Sequence, residues 1–252
     1  MPKLPVTVVI PTLNEAAQIG DALDALAWAD EVIIADGGSN DGTPVVARGR
    51  GARVLDVPGK TIAAQRNAAI AAARNAWILA LDADERVPDA LRTELASVLA
   101  APHAPAYRIR RQNVYLGQAR RRGEWSRDWQ VRLFPRERRF VEDRVHERLE
   151  PVPNPGALRS PMVHVPFRDL AHHVDKVARY ARWAAEDLYA RGRRAGLLDL
   201  CVRPAWRFVR DYLVHGGCLE GRVGFITSVI HAYAGFLKYA FLWELADRTD
   251  AA

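Results

Sequence analysis

Cysteine is nearly absent: Cys201 and Cys218 are the only two in 252 residues. Two are too few for a disulfide framework, and no CxxC or Cys/His spacing is present that would hold zinc, so both are expected to be reduced and structural. The chain also lacks an internal repeat, a low-complexity tract and the GxGxxG dinucleotide fingerprint, which leaves a nicotinamide enzyme poorly supported. RRM, KH and helix-turn-helix signatures are missing too, so nucleic acid is not an expected partner. The apolar run that opens the chain is short and interrupted by Pro5, less than a signal-peptide core, and a cytoplasmic protein is expected. Phe225 to Ala246 is the one stretch long enough to suggest a membrane span. His231, Lys238 and Glu244 interrupt it, and the expectation is a buried or interfacial helix.

What is present suits a globular protein, with 49% hydrophobic and 26% charged residues. The formal charge of +6 invites a polyanion reading, but it is unevenly spread. Residues 1–102 hold 9 basic and 13 acidic side chains, residues 103–150 hold 13 and 7, and residues 151–252 hold 14 and 10. The surplus therefore belongs to the middle and the end of the chain.

Four β-branched or apolar runs, at Val6–Ile10, Glu31–Ala35, Arg53–Val57 and Ala76–Leu81, alternate with helical patterns. Asn14 and Thr43-Pro44 read as helix starts, and Thr61 to Arg74 and Pro88 to Ala100 as further helices. Strand–helix alternation of this kind predicts βαβ units, a mostly parallel sheet with helices on both faces, and a ligand site beyond the carboxyl ends of the strands. After Pro102 the texture becomes arginine-rich, with a strand-like Val131–Phe134. From about Arg168 onward it is helical, with Leu170, Val174, Val177, Tyr180 and Ala181 on one face. The expected domains are an α/β domain over 1–168 and a helical region over 169–252.

Asp82-Ala-Asp84-Glu85 sits where an apolar strand stops. Two carboxylates two residues apart at such a point can converge on one hard divalent cation, which favours oxygen ligands and leaves positions for phosphate oxygens. Asp36-Gly-Gly-Ser-Asn-Asp-Gly-Thr43 ends the second strand on the same edge of a parallel sheet. Its glycines permit close approach or positive φ, and its first Asp can accept hydrogen bonds from a base or ribose. Each motif also reads as a solvated turn when taken alone.

Together, Ile10-Pro-Thr-Leu-Asn-Glu15, Asp36 to Thr43, Ala64-Gln-Arg-Asn67 and Leu81 to Glu85 resemble glycosyltransferase family 2, inverting nucleotide-sugar enzymes of the GT-A fold. The resemblance covers the first hundred residues. It implies that Thr12, Glu15 and Asp36 contact the nucleoside, that Arg66 lies by the diphosphate, and that Asp82 and Asp84 serve the ribose and a Mg²⁺ or Mn²⁺ ion. An anionic diphosphate leaving group agrees with that ion, which can stabilise the charge developing as the glycosidic bond breaks.

An inverting transfer needs a carboxylate to take the proton from the acceptor hydroxyl, and Phe140 to Leu149 supplies Glu142, Asp143 and Glu147. Arg132-Leu-Phe134 followed by Val145-His-Glu147 resembles the lipooligosaccharide- and lipopolysaccharide-core β-1,4-glucosyltransferases. That resemblance points to Glu147 as the base, with Asp143 in reserve. Arg108, Arg110, Arg111 and Arg120 to Arg122, with Trp125 and Trp129, read either as a grip on an anionic glycan or glycolipid acceptor or as a solvated loop. The tail helix bearing Trp206, Phe208 and Tyr212 reads either as a peripheral contact with the inner membrane surface or as packing on the catalytic domain or in a homo-oligomer, which would put Phe236, Tyr239, Phe241 and Trp243 in a core. The leading expectation is metal-dependent transfer of glucose from UDP-glucose to a hydroxyl of lipopolysaccharide core or a related membrane-bound glycan. A polyprenyl-phosphate sugar transferase and a non-catalytic binder of anionic membranes with the same fold are the alternatives.

Overall fold

The computed structural model describes residues 3–122, 128–141 and 148–250, with side chains to residue 247. The chain divides into two compact units, Met1–Gln112 with Arg127–His164, and Asn113–Ser126 with Val165–Ala252. A short stretch of the arginine-rich middle thus groups with the tail helices.

In the first unit, β1 (Leu4–Thr12), β2 (Ala29–Asp36), β3 (Arg53–Asp56) and β4 (Trp77–Ala80) alternate with α1 (Ala16–Asp24), α2 (Thr43–Gly49) and α3 (Ile62–Ala72). The four strands pair in parallel in the order β3-β2-β1-β4. Then come β5 (Glu85–Arg86), α4 (Asp89–Ala100), β6 (Tyr107–Tyr115), β7 (Gln118–Ala119) and β8 (Trp129–Pro135), of which β7 and the last three residues of β6 are counted with the second unit. The last pieces are β9 (Phe140–Val141), β10 (Arg148–Leu149), β11 (Gly156–Ala157) and β12 (Met162–His164). β8 joins β4 antiparallel and β6 joins β8 antiparallel, so the sheet is mixed beyond its parallel half. β12 pairs antiparallel with β5, setting His164 opposite Glu85.

Alternation along the strands builds two cores, because successive side chains leave opposite faces of a sheet. Val8 and Ile10 pack with Ile19 and Leu23 of α1 and Leu91 and Leu95 of α4. Val9, Ile33 and Ile78 pack on the other face with Ala69 and Ile70 of α3 and with Phe134 and Phe140. Both faces of the parallel half are therefore covered, as continuous apolar strands require.

Two helix starts differ from expectation. Asn14 does not cap α1; it has φ +58°, and Glu15 takes the cap position. Its side-chain oxygen instead accepts from the Asn40 amide at 3.0 Å, so a cross-loop bond has claimed the group that would have capped the helix. Thr43 lies inside α2, whose cap is Gly42 at φ +90°.

The second unit contains α5 (Leu170–Ala190), α6 (Leu197–Val209), a π turn over Arg210–Val214, a 3₁₀ turn over Gly217–Glu220 and α7 (Gly221–Asp250). Asp169 caps α5 by accepting from the His172 amide at 2.7 Å. α7 packs on both α5 and α6. The α7 helix approaches the 3₁₀ turn so closely that a Cβ at Gly224 would lie 1.9 Å from the Gly217 carbonyl oxygen. The expected stripe on α5 is shifted: His173, Ala181 and Ala185 are buried, whereas Leu170 and Tyr180 are exposed. Phe236 and Trp243 of α7 are exposed as well, which removes them from any core within this chain. The Gly217–Asp247 stretch is long and apolar enough to cross a membrane by length and composition, and 28% of its apolar window is buried. Cys201 and Cys218 are free thiols, and both are exposed.

Candidate active site

The parallel register brings the ends of β1 and β2 side by side, with Thr12 opposite Asp36. β4 runs in the same direction on the other side of β1, so Asp82, two residues past its end, emerges on the same edge. Topology alone thus gathers the motifs that lie far apart in the chain.

Asp36 is fixed from several directions. Thr12 Oγ1 donates to Asp36 Oδ1 at 3.1 Å and Ser39 Oγ donates to the same oxygen at 2.6 Å. The Ser39 and Gly38 amides donate to Oδ2 at 2.7 and 3.1 Å. Burial raises the Asp36 pKa, yet the Ser39 hydroxyl and amide, the Gly38 amide and Thr12 outweigh it, so the carboxyl lies below its ordinary range. Gly38 at φ +102° supplies the turn that aims these amides. The loops after β1 and β2 are stitched together: the Asn14 amide donates to Ser39 Oγ, the Glu15 amide to Thr43 Oγ1 and the Ala16 amide to Asp41 Oδ2, at 2.8 to 2.9 Å. Glu15 itself is half-buried, and its side chain accepts from Gln18 Nε2 at 2.5 Å.

Asp82 stands in a cage of arginines. Arg66 of α3 pairs with Oδ1, and Arg132 of β8 donates to Oδ2 at 2.8 Å and to Glu85 Oε1 at 2.6 Å. Arg111 of β6 lies 3.9 Å from Asp82 and 3.5 Å from Glu85, and is itself paired with Asp128 at 2.6 Å. Glu85 Oε2 accepts the Asp82 amide at 2.9 Å, closing the turn. Burial pushes Asp82 up, but Arg132 and then Arg66 overcome it and hold the carboxyl well below the usual range. Glu85 goes the other way: its complete burial dominates over Arg132 and raises it. Arg66 is almost fully buried, its guanidinium 4.8 Å from the centre of the Phe140 ring.

Asp84 points elsewhere. Its Oδ2 lies 3.4 Å from His164 Nε2, and both side chains are largely buried. A carboxylate oxygen and an imidazole nitrogen at that separation suit neighbouring ligands of one Mg²⁺ or Mn²⁺ ion, which completes its shell with phosphate oxygens and water. Among the described residues there is no group of three His, Cys, Asp or Glu side chains that could hold a metal. Both oxygens of Asp82 already face guanidinium groups.

Asn67, beside Arg66 on α3, clamps β9: its Nδ2 donates to the Phe140 carbonyl and its Oδ1 accepts from the Phe140 amide, both at 2.8 Å. β9 pairs with β10, Val141 opposite Arg148. The intervening Glu142–Glu147, which carries Asp143 and Glu147, lies outside the described residues, as does Trp125. The expected arginine set divides: Arg111 serves the carboxylate cage, Arg120 is buried against Glu220 and Thr227 in the second unit, and Arg108 lies over the Trp129 ring at 5.2 Å. Sequence reasoning assigned no role to Arg132, Glu85, Asn67 or His164. The first three stood within motifs already quoted; for His164 the sole signal was a histidine closing a short apolar run.

The glycosyl transferase family 2 profile matches residues 7–151, more than half of the chain. The lipopolysaccharide core biosynthesis glycosyltransferase LpsC of Rhizobium meliloti (strain 1021) is 29% identical over 255 residues, covering 97% of this chain and 94% of that protein. An uncharacterized glycosyltransferase of Rickettsia typhi is 26% identical over 255 residues, covering 96% of this chain and 87% of its own. Among solved structures, glucosyl-3-phosphoglycerate synthase from Mycobacterium tuberculosis in complex with Mn²⁺, UDP and glucosyl-3-phosphoglycerate is 27% identical over 43% of this chain and 44% of that one, with a TM-score of 0.35. Staphylococcus aureus TarS is 16% identical over 99% of this chain and 92% of that one, at a TM-score of 0.49.

Proposed function

The chain belongs to glycosyl transferase family 2, a GT-A-fold glycosyltransferase acting on a nucleotide-sugar donor, and from that premise we propose that it transfers glucose from UDP-glucose, with inversion, to a hydroxyl of lipopolysaccharide core or a related membrane-bound glycan. The observation that carries the donor half is the placement of Thr12, Asp36 and Asp82 at one edge of the parallel strands, with Asp84 two residues beyond Asp82. The acceptor half is supported by the likeness to LpsC along nearly the whole chain.

In this reading Thr12, Glu15 and the pre-ordered Asp36 receive the nucleoside. Asp82, held in one orientation by Arg66 and Arg132, faces the ribose, while Arg66 acts chiefly by fixing Asp82 and lending positive potential near the diphosphate. Asp84 and His164 hold a Mg²⁺ or Mn²⁺ ion, which supplies neutralisation of the diphosphate as it leaves. In this reading His164 joins the expected Asp84 at the ion, and Asp82 is assigned to the ribose.

Transfer breaks the bond between the anomeric carbon and the diphosphate oxygen and forms one to the acceptor oxygen. The acceptor's proton passes to Glu147, with Asp143 as the reserve base, and UDP departs with its electron pair. The enzyme works at the cytoplasmic face of the inner membrane, where such a glycan is assembled. The test is Glu147→Gln: transfer should fall by roughly 10²–10⁴-fold while nucleotide binding is retained. Full activity in that variant moves the base to Asp143, and full activity in Asp143→Asn as well removes the segment from the chemistry.

A further inference from the structure

Leu198, Val202, Trp206 and Val209 of α6 fall within an arc of about 80° at 3.6 residues per turn. All four are exposed, Leu198 by 75% and Trp206 by 58%. Leu213, just beyond in the π turn, is exposed too. The opposite side of the helix is the one that packs on α7. There a Cβ at Gly235 would touch Pro204 and Arg207, Asp211 Oδ2 meets His231 Nδ1 at 2.6 Å, and Phe208 sits edge-on to Phe225 at 5.9 Å. Phe208 and Tyr212 therefore belong to the helix packing, while Trp206 faces outward.

The surroundings of the stripe identify what covers it. Residues 191–210 contain six arginines and a single acidic residue, Asp199, a net +5 (6 − 1), of which Arg191 pairs with Asp187 at 2.9 Å and Arg207 lies on the α7 side. Asp199 is already paired with Arg203 at 2.5 Å. Arg193 and Arg194, in the connector just before α6, are exposed. A second copy docked stripe to stripe would bring these arginines together, whereas an anionic surface with an apolar interior satisfies both the charge and the stripe. We propose that α6 lies in the plane of an anionic phospholipid leaflet, with Leu198, Val202, Trp206 and Val209 inserted between acyl chains and Arg193 and Arg194 on headgroup phosphates. The contact is made by α6 lying flat, and α7 serves as the scaffold behind it. It does not depend on sugar transfer, since it is measured with no donor present.

The full-length protein is sedimented with phosphatidylcholine vesicles, with and without phosphatidylglycerol. Binding is expected on the anionic vesicles and should weaken by about tenfold in high salt, as screened charges require. Val202→Glu/Trp206→Glu should weaken it at least tenfold, with circular dichroism and melting temperature unchanged because both positions are exposed. Arg193→Ala/Arg194→Ala should weaken it by on the order of tenfold on anionic vesicles alone. Parent-like binding by Val202→Glu/Trp206→Glu overturns the proposal, as does equal, salt-independent binding to both vesicles. Association that resists carbonate extraction would assign the contact to a spanning α7. A dimer in light scattering that Trp206→Glu dissociates, with no vesicle binding, would assign the stripe to a second copy.

Discussion

Asp84 and His164 face each other at 3.4 Å although one follows the end of β4 and the other closes β12. The link is the antiparallel pairing of β5 with β12, which sets His164 opposite Glu85, next to Asp84 in the chain. If Asp84 and His164 hold the ion as proposed, replacing either should abolish Mn²⁺ binding. For Asp84→Asn and His164→Ala, the Mn²⁺-induced rise in melting temperature is expected to vanish, while the metal-free melting temperature changes little.

Arg132 bridges the buried Glu85 and the half-buried Asp82, so its loss leaves the two carboxylates facing each other with less compensation. Arg132→Leu is expected to cost about 3–5 kcal/mol of stability, the range for breaking one side of a buried ion pair. Arg132→Lys keeps the charge but cannot reach both acceptors in the same fork, and an intermediate loss is expected. Urea unfolding monitored by circular dichroism measures both.

Asn67 holds β9 by two hydrogen bonds at the edge of the segment that carries Glu147. Asn67→Ala is expected to cost about 1–3 kcal/mol, because it leaves the Phe140 amide and carbonyl without that partner. Its signature in the enzyme should be a fall in kcat with little change in nucleotide Kd, compared by steady-state kinetics and calorimetry.

The helical unit should weaken in mild acid. His173 Nδ1 lies 2.7 Å from the Tyr115 hydroxyl and its ring stacks on Phe167 at 3.7 Å. Burial first, then His231 and Lys176, pull the imidazole down to about 4 from 6.5. Between those values the unfolded chain binds a proton that the folded one refuses, so the contribution is complete above pH 6.5 and is lost as pH falls toward 4. Melting temperature should drop across that window, and His173→Gln should flatten the drop.

Much of this fold was legible because β-branched runs and helical spacings recur in the first hundred residues. Local signals sufficed for β1 to β4 and for α3 and α4. What escaped depended on partners far along the chain. Asn14 looks like a cap until Asn40 claims its side chain, and Tyr180 looks like part of a buried stripe until α7 determines which side of α5 is covered. In the site, Asp36, Asp82 and Asp84 announced themselves as acidic residues at strand ends. Arg132 and His164 did not, since an antiparallel register places each beside a carboxylate and no spacing in the sequence encodes it.

In the proposed function a nucleotide sugar and a divalent ion share one site at the ends of β1, β2 and β4. Calorimetric titration of UDP-glucose into the full-length protein, with Mn²⁺ and then with EDTA, tests it directly. One site per chain is expected, binding at least tenfold more tightly with Mn²⁺, losing that gain in Asp84→Asn and abolished in Asp36→Ala. Binding of equal strength in Mn²⁺ and EDTA that survives both substitutions would contradict it.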